Sequence, residues 1–369
     1  MSGEGQTKGT GVWVPPTEGV KYVGSKLRML PHIVRLVASL PDVQSVLDGF
    51  SGTTRVSQAL YQLGYEVTCN DVAAWSEVFG RCYLQADRPQ TYYQELIDHL
   101  NALPPQEGWF AQTYGRLPKS PFQRANLCKL DAVREEISRL RLDATDESVL
   151  LTSLMLALNQ VDSTLGHFSS YLSQWSARSY RELFLPLPRV LNFFLPRKKS
   201  EVLRGDVFRA VEGRHFDLAY FDPPYGSNNE KMPPSRVRYA AYYHFWTTVV
   251  CNDRPEVFGH VARRTDTRDR LATSPFEEYR TNAAGRHLAM ETLERLVAQT
   301  NAHYILLSYS SGGRVTRQEL LELLQANGRL LQAVEVDYRK NVMARMQWTH
   351  SWAGSDDPHQ EYLFLLEKN

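Results

Sequence analysis

The sequence predicts an α/β protein that has a sheet with helices on both faces and a largely helical insertion. Three observations support this prediction. Residues 216–221 form an apolar run typical of a buried strand, and two prolines end it. Residues 45–56 fit a strand, a glycine turn and a helix start, with a second strand at 66–69. From residue 75 to residue 195, helical patterns replace strand patterns.

Composition limits the classes of function. Lys plus Arg, 42 residues, nearly cancels Asp plus Glu, 41 residues, so only local clusters could bind phosphates. The four cysteines, Cys69, Cys82, Cys128 and Cys251, show no Cys-x-x-Cys spacing, so we expect reduced thiols and no metal site. No apolar run approaches the length of a membrane span, and the N-terminal stretch lacks an apolar signal core. We therefore expect a cytoplasmic protein.

The first candidate binding segment is Lys21-Tyr22-Val23-Gly24-Ser25-Lys26, which precedes a helical pattern. A Gly-Ser-Lys turn before a helix presents amides and an ammonium group to a carboxylate or phosphate. An ordinary solvated turn explains the same residues, so this segment alone decides nothing.

The second candidate is the turn Asp48-Gly49-Phe50-Ser51-Gly52, which follows the strand at residues 45–47. Its glycines allow close approach to a ligand. About 20 residues later, Asp71 ends the next strand, where a ribose lies in a Rossmann-like βαβ unit. The dinucleotide pattern Gly-x-Gly-x-x-Gly is absent, which disfavours NAD and leaves adenosine open. A tight turn followed by a surface Asp is the structural alternative.

A polar and aromatic cluster follows the helical pattern near residue 158 and contains His167, a candidate DNA contact. It also fits an ordinary loop at a helix end. We expect residues 75–199 to form the helical insertion and residues 1–74 and 200–369 the catalytic domain.

The central stretch is the strand at 216–221 with the turn Asp222-Pro223-Pro224-Tyr225. Asp222 and the Pro223 carbonyl supply two hydrogen-bond acceptors on a stiff turn, and Tyr225 supplies an aromatic face. These groups suit a planar ring with an exocyclic amine at the carboxyl end of a strand. A strand end with a turn-forming Asp is the alternative.

Beyond this turn, a cluster of aromatic residues neighbours several arginines, a composition that suits base stacking and phosphate contact. A buried aromatic helix between solvated loops fits equally well. The candidate DNA contacts after the turn are Tyr243, His244, Arg263, Arg264, Tyr338 and Arg339.

In this order, the motifs resemble those of the Dam-type S-adenosylmethionine-dependent DNA adenine methyltransferases over nearly the full length. Besides the three segments above, they include Asn70-Asp71, Gly205-Asp206-Val207-Phe208, Tyr243-His244, Leu307-Ser308-Tyr309-Ser310-Ser311 and Tyr338-Arg339. One departure is Gly52-Thr53-Thr54 in place of a more usual Gly-x-Gly.

The resemblance implies the Rossmann-like sheet of these enzymes and S-adenosylmethionine as the methyl donor. The residues implied to hold this cofactor are Tyr22, Lys26, Asp48, Gly49, Phe50, Ser51, Gly52, Asp71, Asp206 and Val207. Asp71 would take the ribose hydroxyls and Asp206 the adenine amine. Asp222, Pro223, Pro224 and Tyr225 would hold the amine of a flipped-out adenine in double-stranded DNA.

The resemblance also implies a site-specific enzyme that can act beside a cognate restriction enzyme, with the insertion as first choice for reading the bases. Cytosine N4 methylation is the nearest alternative, because cytosine carries the same kind of amine. A DNA-binding module without catalysis belongs to a different class, and the intact motif residues argue against it.

Overall fold

The structure is a computed structural model that describes residues 12–226, 239–268, 271–272, 274–338 and 359–369. Its strands are β1 Ser45–Asp48, β2 Glu66–Asp71, β3 Ser200–Arg204, β4 Phe216–Phe221, β5 Val257–Phe258, β6 Arg263–Arg264, β7 Ala302–Ser310, β8 Gly328–Tyr338 and β9 His359–Lys368. Its α-helices are α1 Leu30–Ala38, α2 Arg55–Gln62, α3 Ala74–Gly80, α4 Gln90–Ala102, α5 Trp109–Tyr114, α6 Arg124–Leu140, α7 Ala144–Val161, α8 Val207–Val211, α9 Tyr239–Tyr242, α10 His244–Cys251, α11 Leu288–Gln299 and α12 Arg317–Asn327.

Within the described residues, seven strands belong to one mixed sheet in the order β3-β2-β1-β4-β7-β9-β8, and β5 and β6 form a separate antiparallel pair. The predicted α/β class is therefore confirmed. The strands predicted near residues 45–47, 66–69 and 216–221 all lie within strands of this sheet. In the described part of the chain, no helix is both long and apolar enough to cross a membrane.

The chain divides into two compact units. The first contains the described residues of Met1–Arg35, Ser51–Arg204 and Ala240–Arg268, and the second those of Leu36–Phe50, Gly205–Tyr239 and Asp269–Asn369. The predicted insertion, residues 75–199, lies inside the first unit. All of its residues are described, and they form helices, turns and loops without a strand of the sheet. Its boundaries as a separate domain stay a prediction.

In the first unit, β2 and β3 run parallel, with Cys69 opposite Val202. The long helix α7 is capped at its N-terminus by Asp143, whose carboxylate accepts hydrogen bonds from the N–H groups of Thr145 and Asp146. This cap satisfies two amides that no helical carbonyl can reach. Most of α7 is buried, which explains its apolar sequence without a polar face.

In the second unit, β4 lies between β1 and β7 and runs parallel to both. Strand β9 is antiparallel to β7 and to β8. Central parallel strands are covered on both faces, which explains the continuous apolar run of β4. The run ends where Pro223 and Pro224 can donate no ladder hydrogen bond. The turn after β4 is therefore fixed by local sequence.

Candidate functional site

The turn after β4 brings a catalytic candidate and an aromatic candidate into direct contact. The Tyr225 hydroxyl donates a hydrogen bond to Oδ1 of Asp222. The same hydroxyl lies 3.2 Å from Oγ of Ser308, on β7, and 3.4 Å from Oε2 of Glu361, on β9. Asp222 and Tyr225 thus form one polar group with residues from two other strands.

The backbone and ring of Tyr225 are also held. Its carbonyl accepts hydrogen bonds from the Arg314 N–H at 2.8 Å and from the Tyr309 hydroxyl at 3.4 Å. Its ring packs against the Tyr309 ring with 4.7 Å between centroids. Burial, together with Asp222 and Glu361, raises the pKa of Tyr225 well above its usual value. The phenol therefore stays protonated near neutral pH and acts as a donor.

Asp48 and Gly49 lie at the end of β1 in the second unit. Asp48 is buried, and the Gly49 N–H donates to the Tyr220 carbonyl at 3.0 Å. A Cβ on Gly49 would lie 2.7 Å from the Phe221 ring, so no side chain fits there. The Phe50 ring packs edge-on against Phe221. The predicted glycine turn is thus required by packing against β4.

Asp206 caps α8, since its carboxylate accepts a hydrogen bond from the Phe208 N–H at 3.0 Å. The Asp206 side chain is exposed and Val207 is buried. A cap explains an Asp at this position, and its predicted contact with a cofactor amine stays a prediction.

The loop between β1 and α2 is tied to the end of β2 within the first unit. Oδ2 of Asp71 accepts from the Gly52 N–H and Oδ1 from the Ala73 N–H, both at 2.9 Å. Ser51 donates from its backbone to the Asn70 carbonyl at 2.9 Å. Burial raises the pKa of Asp71, and these N–H groups act in the opposite direction. Asp71 thus fixes the conformation of the predicted cofactor loop.

Thr54 occupies the position at which the sequence departs from Gly-x-Gly. It has φ of 58°, a left-handed conformation that β-branched residues rarely adopt. Thr54 is buried, and its hydroxyl accepts a hydrogen bond from the Gln58 side chain at 3.1 Å. The backbone therefore keeps a glycine-like turn although the residue is Thr.

Tyr22 and Lys26, from the N-terminal candidate segment, also lie in the first unit. The Tyr22 ring stacks on Tyr243 at 4.7 Å and lies 5.4 Å from Trp75. A Cβ on Gly52 would come 3.3 Å from the Tyr22 ring. Lys26 is only 7% exposed and donates to the Gly24 carbonyl at 3.1 Å. Two motifs that are distant in sequence, those of Tyr22 and Gly52, are therefore neighbours.

The structure buries the side chains of four predicted DNA contacts, whose contact with DNA stays a prediction. The Tyr243 hydroxyl accepts from the Val23 N–H at 2.6 Å, beneath Tyr22. His167 stacks on Tyr242, and burial lowers the pKa of His167. Burial also lowers the pKa of His244 to about 4, so this side chain is neutral at pH 7. Arg264 pairs with Asp253 and Asp266. Their contacts are internal.

Three other predicted DNA contacts remain predictions. Arg263 is partly buried, its guanidinium donates to the Thr267 hydroxyl at 2.9 Å, and it lies over the Phe258 ring. Tyr338 ends β8, and Arg339 lies outside the described residues.

Sequence reasoning missed Glu361 and Arg314 as neighbours of the central turn, and Trp75 as a neighbour of Tyr22. Glu361 directly precedes the apolar run of β9. An acidic residue in this position was the sequence feature that could have marked it as a candidate site residue. No local pattern connects it with Tyr225, 136 positions earlier.

Comparisons with known proteins identify the family. The model of the D12 class N6 adenine-specific DNA methyltransferases matches residues 22–273. The modification methylase StsI of Streptococcus sanguinis is 24% identical over an alignment of 327 residues that covers 83% of this chain and 46% of StsI. The type II methyltransferase M.FokI of Planomicrobium okeanokoites is 22% identical over 95% of this chain and 53% of its own length.

This chain thus spans about half the length of these two relatives. The type II methyltransferase M.NlaIII of Neisseria lactamica is 25% identical over 95% of this chain and 99% of its own length. The predicted family is confirmed, since the family model matches well over half of the chain: this protein belongs to the D12 class of N6 adenine-specific DNA methyltransferases.

Proposed function

We propose that this protein transfers a methyl group from S-adenosylmethionine to the N6 amine of an adenine in double-stranded DNA. The observation that carries the proposal is the turn after β4, where the Tyr225 hydroxyl orients the Asp222 carboxylate. Family membership supports the choice of adenine.

The first unit offers groups that fit S-adenosylmethionine. An ionised carboxylate has about four acceptor positions, and the N–H groups of Gly52 and Ala73 use only part of this capacity at Asp71. Asp71 can therefore accept ribose hydroxyls while it holds the loop. Gly52 has no side chain to crowd the aromatic ring of Tyr22, which a Cβ at this position would approach to 3.3 Å. We assign Tyr22, Lys26, Ser51, Gly52 and Asp71 to cofactor binding.

The cofactor roles predicted for residues of the second unit stay predictions. These residues are Asp48, Gly49, Phe50, Asp206 and Val207. When bound, S-adenosylmethionine supplies an electrophilic methyl group.

The turn after β4 is suited to hold and orient the target amine. The lone pair of the amine nitrogen is delocalised into the adenine ring, which makes the amine a poor nucleophile. Asp222 and the Pro223 carbonyl accept hydrogen bonds from the two N–H groups of the amine. These hydrogen bonds favour a pyramidal nitrogen, with its lone pair directed at the methyl group. The Tyr225 ring stacks on the base, which has left the duplex. This part of the site provides orientation and electrostatic stabilisation.

We also propose residues 75–199 as the region that reads the DNA sequence. Two aromatic side chains of this region, Tyr180 and Phe184, are each 69% exposed, and Arg181 and Arg189 are exposed near them in sequence. Exposed rings and guanidinium groups suit contacts with bases and phosphates. The relatives' names, a modification methylase and type II methyltransferases, favour a role beside a restriction enzyme.

Replacing Asp222 tests the proposed role of the turn. We expect Asp222→Ala to lower the single-turnover rate of methyl transfer by about 10²–10³-fold or more, as loss of a preorganised electrostatic group does. Its dissociation constant for S-adenosylmethionine should stay close to that of the wild type. Asp337→Ala, which removes an exposed carboxylate of the same unit, is the control. A near-normal rate for Asp222→Ala would refute the assignment.

A further inference from the structure

Glu361 is a charged residue in an apolar part of the sheet. It lies on β9, paired with Ser310 of β7 and Val336 of β8, and is 7% exposed. The next five residues of the strand, Tyr362–Leu366, are buried and hydrophobic. Placing a carboxylate in such a position costs free energy unless polar partners compensate. Its partners therefore indicate what the residue does.

The Glu361 carboxylate and the Asp222 carboxylate share one hydroxyl, that of Tyr225. The hydroxyl donates to Asp222 and also points towards Oε2 of Glu361 at 3.4 Å. A phenol has a single proton, so it can make a full hydrogen bond to only one of the two carboxylates at a time. Rotation about the C–O bond changes the acceptor without moving the ring.

We propose that Glu361 is a positioning residue for methyl transfer, which acts through the Tyr225 hydroxyl. Glu361 accepts a hydrogen bond from this hydroxyl when the target amine donates to Asp222, so the phenol keeps an acceptor while Asp222 exchanges one donor for another. This inference rests on the proposed function, because it assumes that Asp222 and Tyr225 receive the target base.

The surroundings of Tyr225 support the proposal. The Arg314 N–H and the Tyr309 ring hold its backbone and ring independently of the hydroxyl. The hydroxyl can therefore change partner while the ring keeps its position. Burial and, beside it, both carboxylates raise the pKa of Tyr225, which keeps the proton on the phenol.

A double-mutant cycle tests this inference. The variants are Glu361→Gln, Tyr225→Phe and the combination, with Glu367→Gln as control. Glu367 lies on the same strand and pairs with Arg329 at a partly exposed position. Gln has the shape of Glu without its charge, and Phe lacks only the hydroxyl. The readouts are the single-turnover rate of methyl transfer and the dissociation constants for S-adenosylmethionine and DNA.

We expect Glu361→Gln to slow the transfer step about 10-fold, within the range of coupling between contacting residues. The dissociation constant for S-adenosylmethionine should change less than about twofold, as it should in the control Glu367→Gln. In the Tyr225→Phe background, Glu361→Gln should have little further effect, since the hydroxyl is gone. Equal slowing in both backgrounds, or no slowing, would overturn the inference. If Glu361→Gln does not fold, Glu361→Asp, which keeps the charge and shortens the reach, replaces it.

A spectroscopic readout separates this inference from the proposed function. With 3-fluorotyrosine at position 225, we expect the ¹⁹F resonance to shift in Glu361→Gln and to stay unchanged in Glu367→Gln. An unchanged resonance in Glu361→Gln overturns the inference whatever the protein methylates. An inactive wild type or an active Asp222→Ala variant contradicts the proposed function instead.

Discussion

Replacing Asp71 by an asparagine perturbs the predicted cofactor loop at its best-defined contact. The Asp71 carboxylate accepts from two backbone N–H groups, those of Gly52 and Ala73, both at 2.9 Å. An amide side chain has one carbonyl oxygen, and its nitrogen is a donor, so the substituted side chain can accept on one side only. One of the two N–H groups then loses its partner. Gly52 is buried, so water does not readily replace the lost acceptor there.

The size of the effect follows from these two hydrogen bonds. An unsatisfied buried donor costs about 1–3 kcal/mol, and the remaining bond loses its charge assistance, which costs about 1 kcal/mol more. Burial raises the pKa of Asp71, so the ionised carboxylate itself carries a cost that the neutral amide removes. We therefore expect a net loss of about 1–3 kcal/mol in the free energy of unfolding at pH 7.

The raised pKa also gives a direction for the pH dependence. The folded protein holds the Asp71 proton more tightly than the unfolded chain does, so this group destabilises the fold as pH rises from the unfolded towards the folded pKa. Asp71→Asn lacks this contribution. Its stability should therefore depend less on pH in that window than the stability of the wild type.

Urea unfolding measures the free energy of unfolding of Asp71→Asn, and calorimetric titration measures its dissociation constant for S-adenosylmethionine. We expect the dissociation constant to rise about tenfold or more, since a distorted loop and a lost ribose acceptor together remove over about 1.4 kcal/mol. Asp87→Asn is the control, because Asp87 is exposed and pairs with Arg197 on the surface. A variant as stable as the wild type, with unchanged cofactor affinity, would refute the role given to Asp71.

Substitutions at two further positions test the local physics of the first unit. Asp131→Ala removes a buried carboxylate that accepts hydrogen bonds from the N–H groups of Gly108, Phe110 and Ala111. It should lower the free energy of unfolding by about 3 kcal/mol. A loss no larger than that caused by Glu135→Ala, which changes an exposed residue of the same helix, would contradict this expectation. Thr54→Gly relieves about 1–2 kcal/mol of left-handed strain and loses a similar amount of packing and hydrogen bonding. Thr54→Ala loses the same contacts and keeps the strain, so its melting temperature should be lower than that of Thr54→Gly. The reverse order of melting temperatures would exclude strain at this position.

The sequence was most informative where local rules determine the structure. The prolines after β4 end the strand by their chemistry, so the position of Asp222 was predictable. The turn at Gly49 was likewise predictable, although the reason, contact with Phe221, appears only in the structure. Thr54 shows that a departure from a motif can leave the backbone conformation intact.

Burial of individual side chains could not be predicted in the same way. His244 and Tyr243 were equally compatible with a DNA surface and with a buried helix, and the structure places both in the interior. Their environment depends on partners such as Tyr22 and Phe168, which are distant in sequence. The contact between Glu361 and Tyr225 has the same origin, because it requires the pairing of β9 with β7.

The most direct test of the proposed function is methyl transfer from labelled S-adenosylmethionine to genomic DNA, followed by digestion and mass spectrometry of the nucleosides. The proposal predicts N6-methyladenine in the wild-type reaction and its loss in Asp222→Ala. N4-methylcytosine would contradict the choice of base and leave the mechanism of the turn intact. No methylated base, with the cofactor bound, would contradict the proposed activity itself.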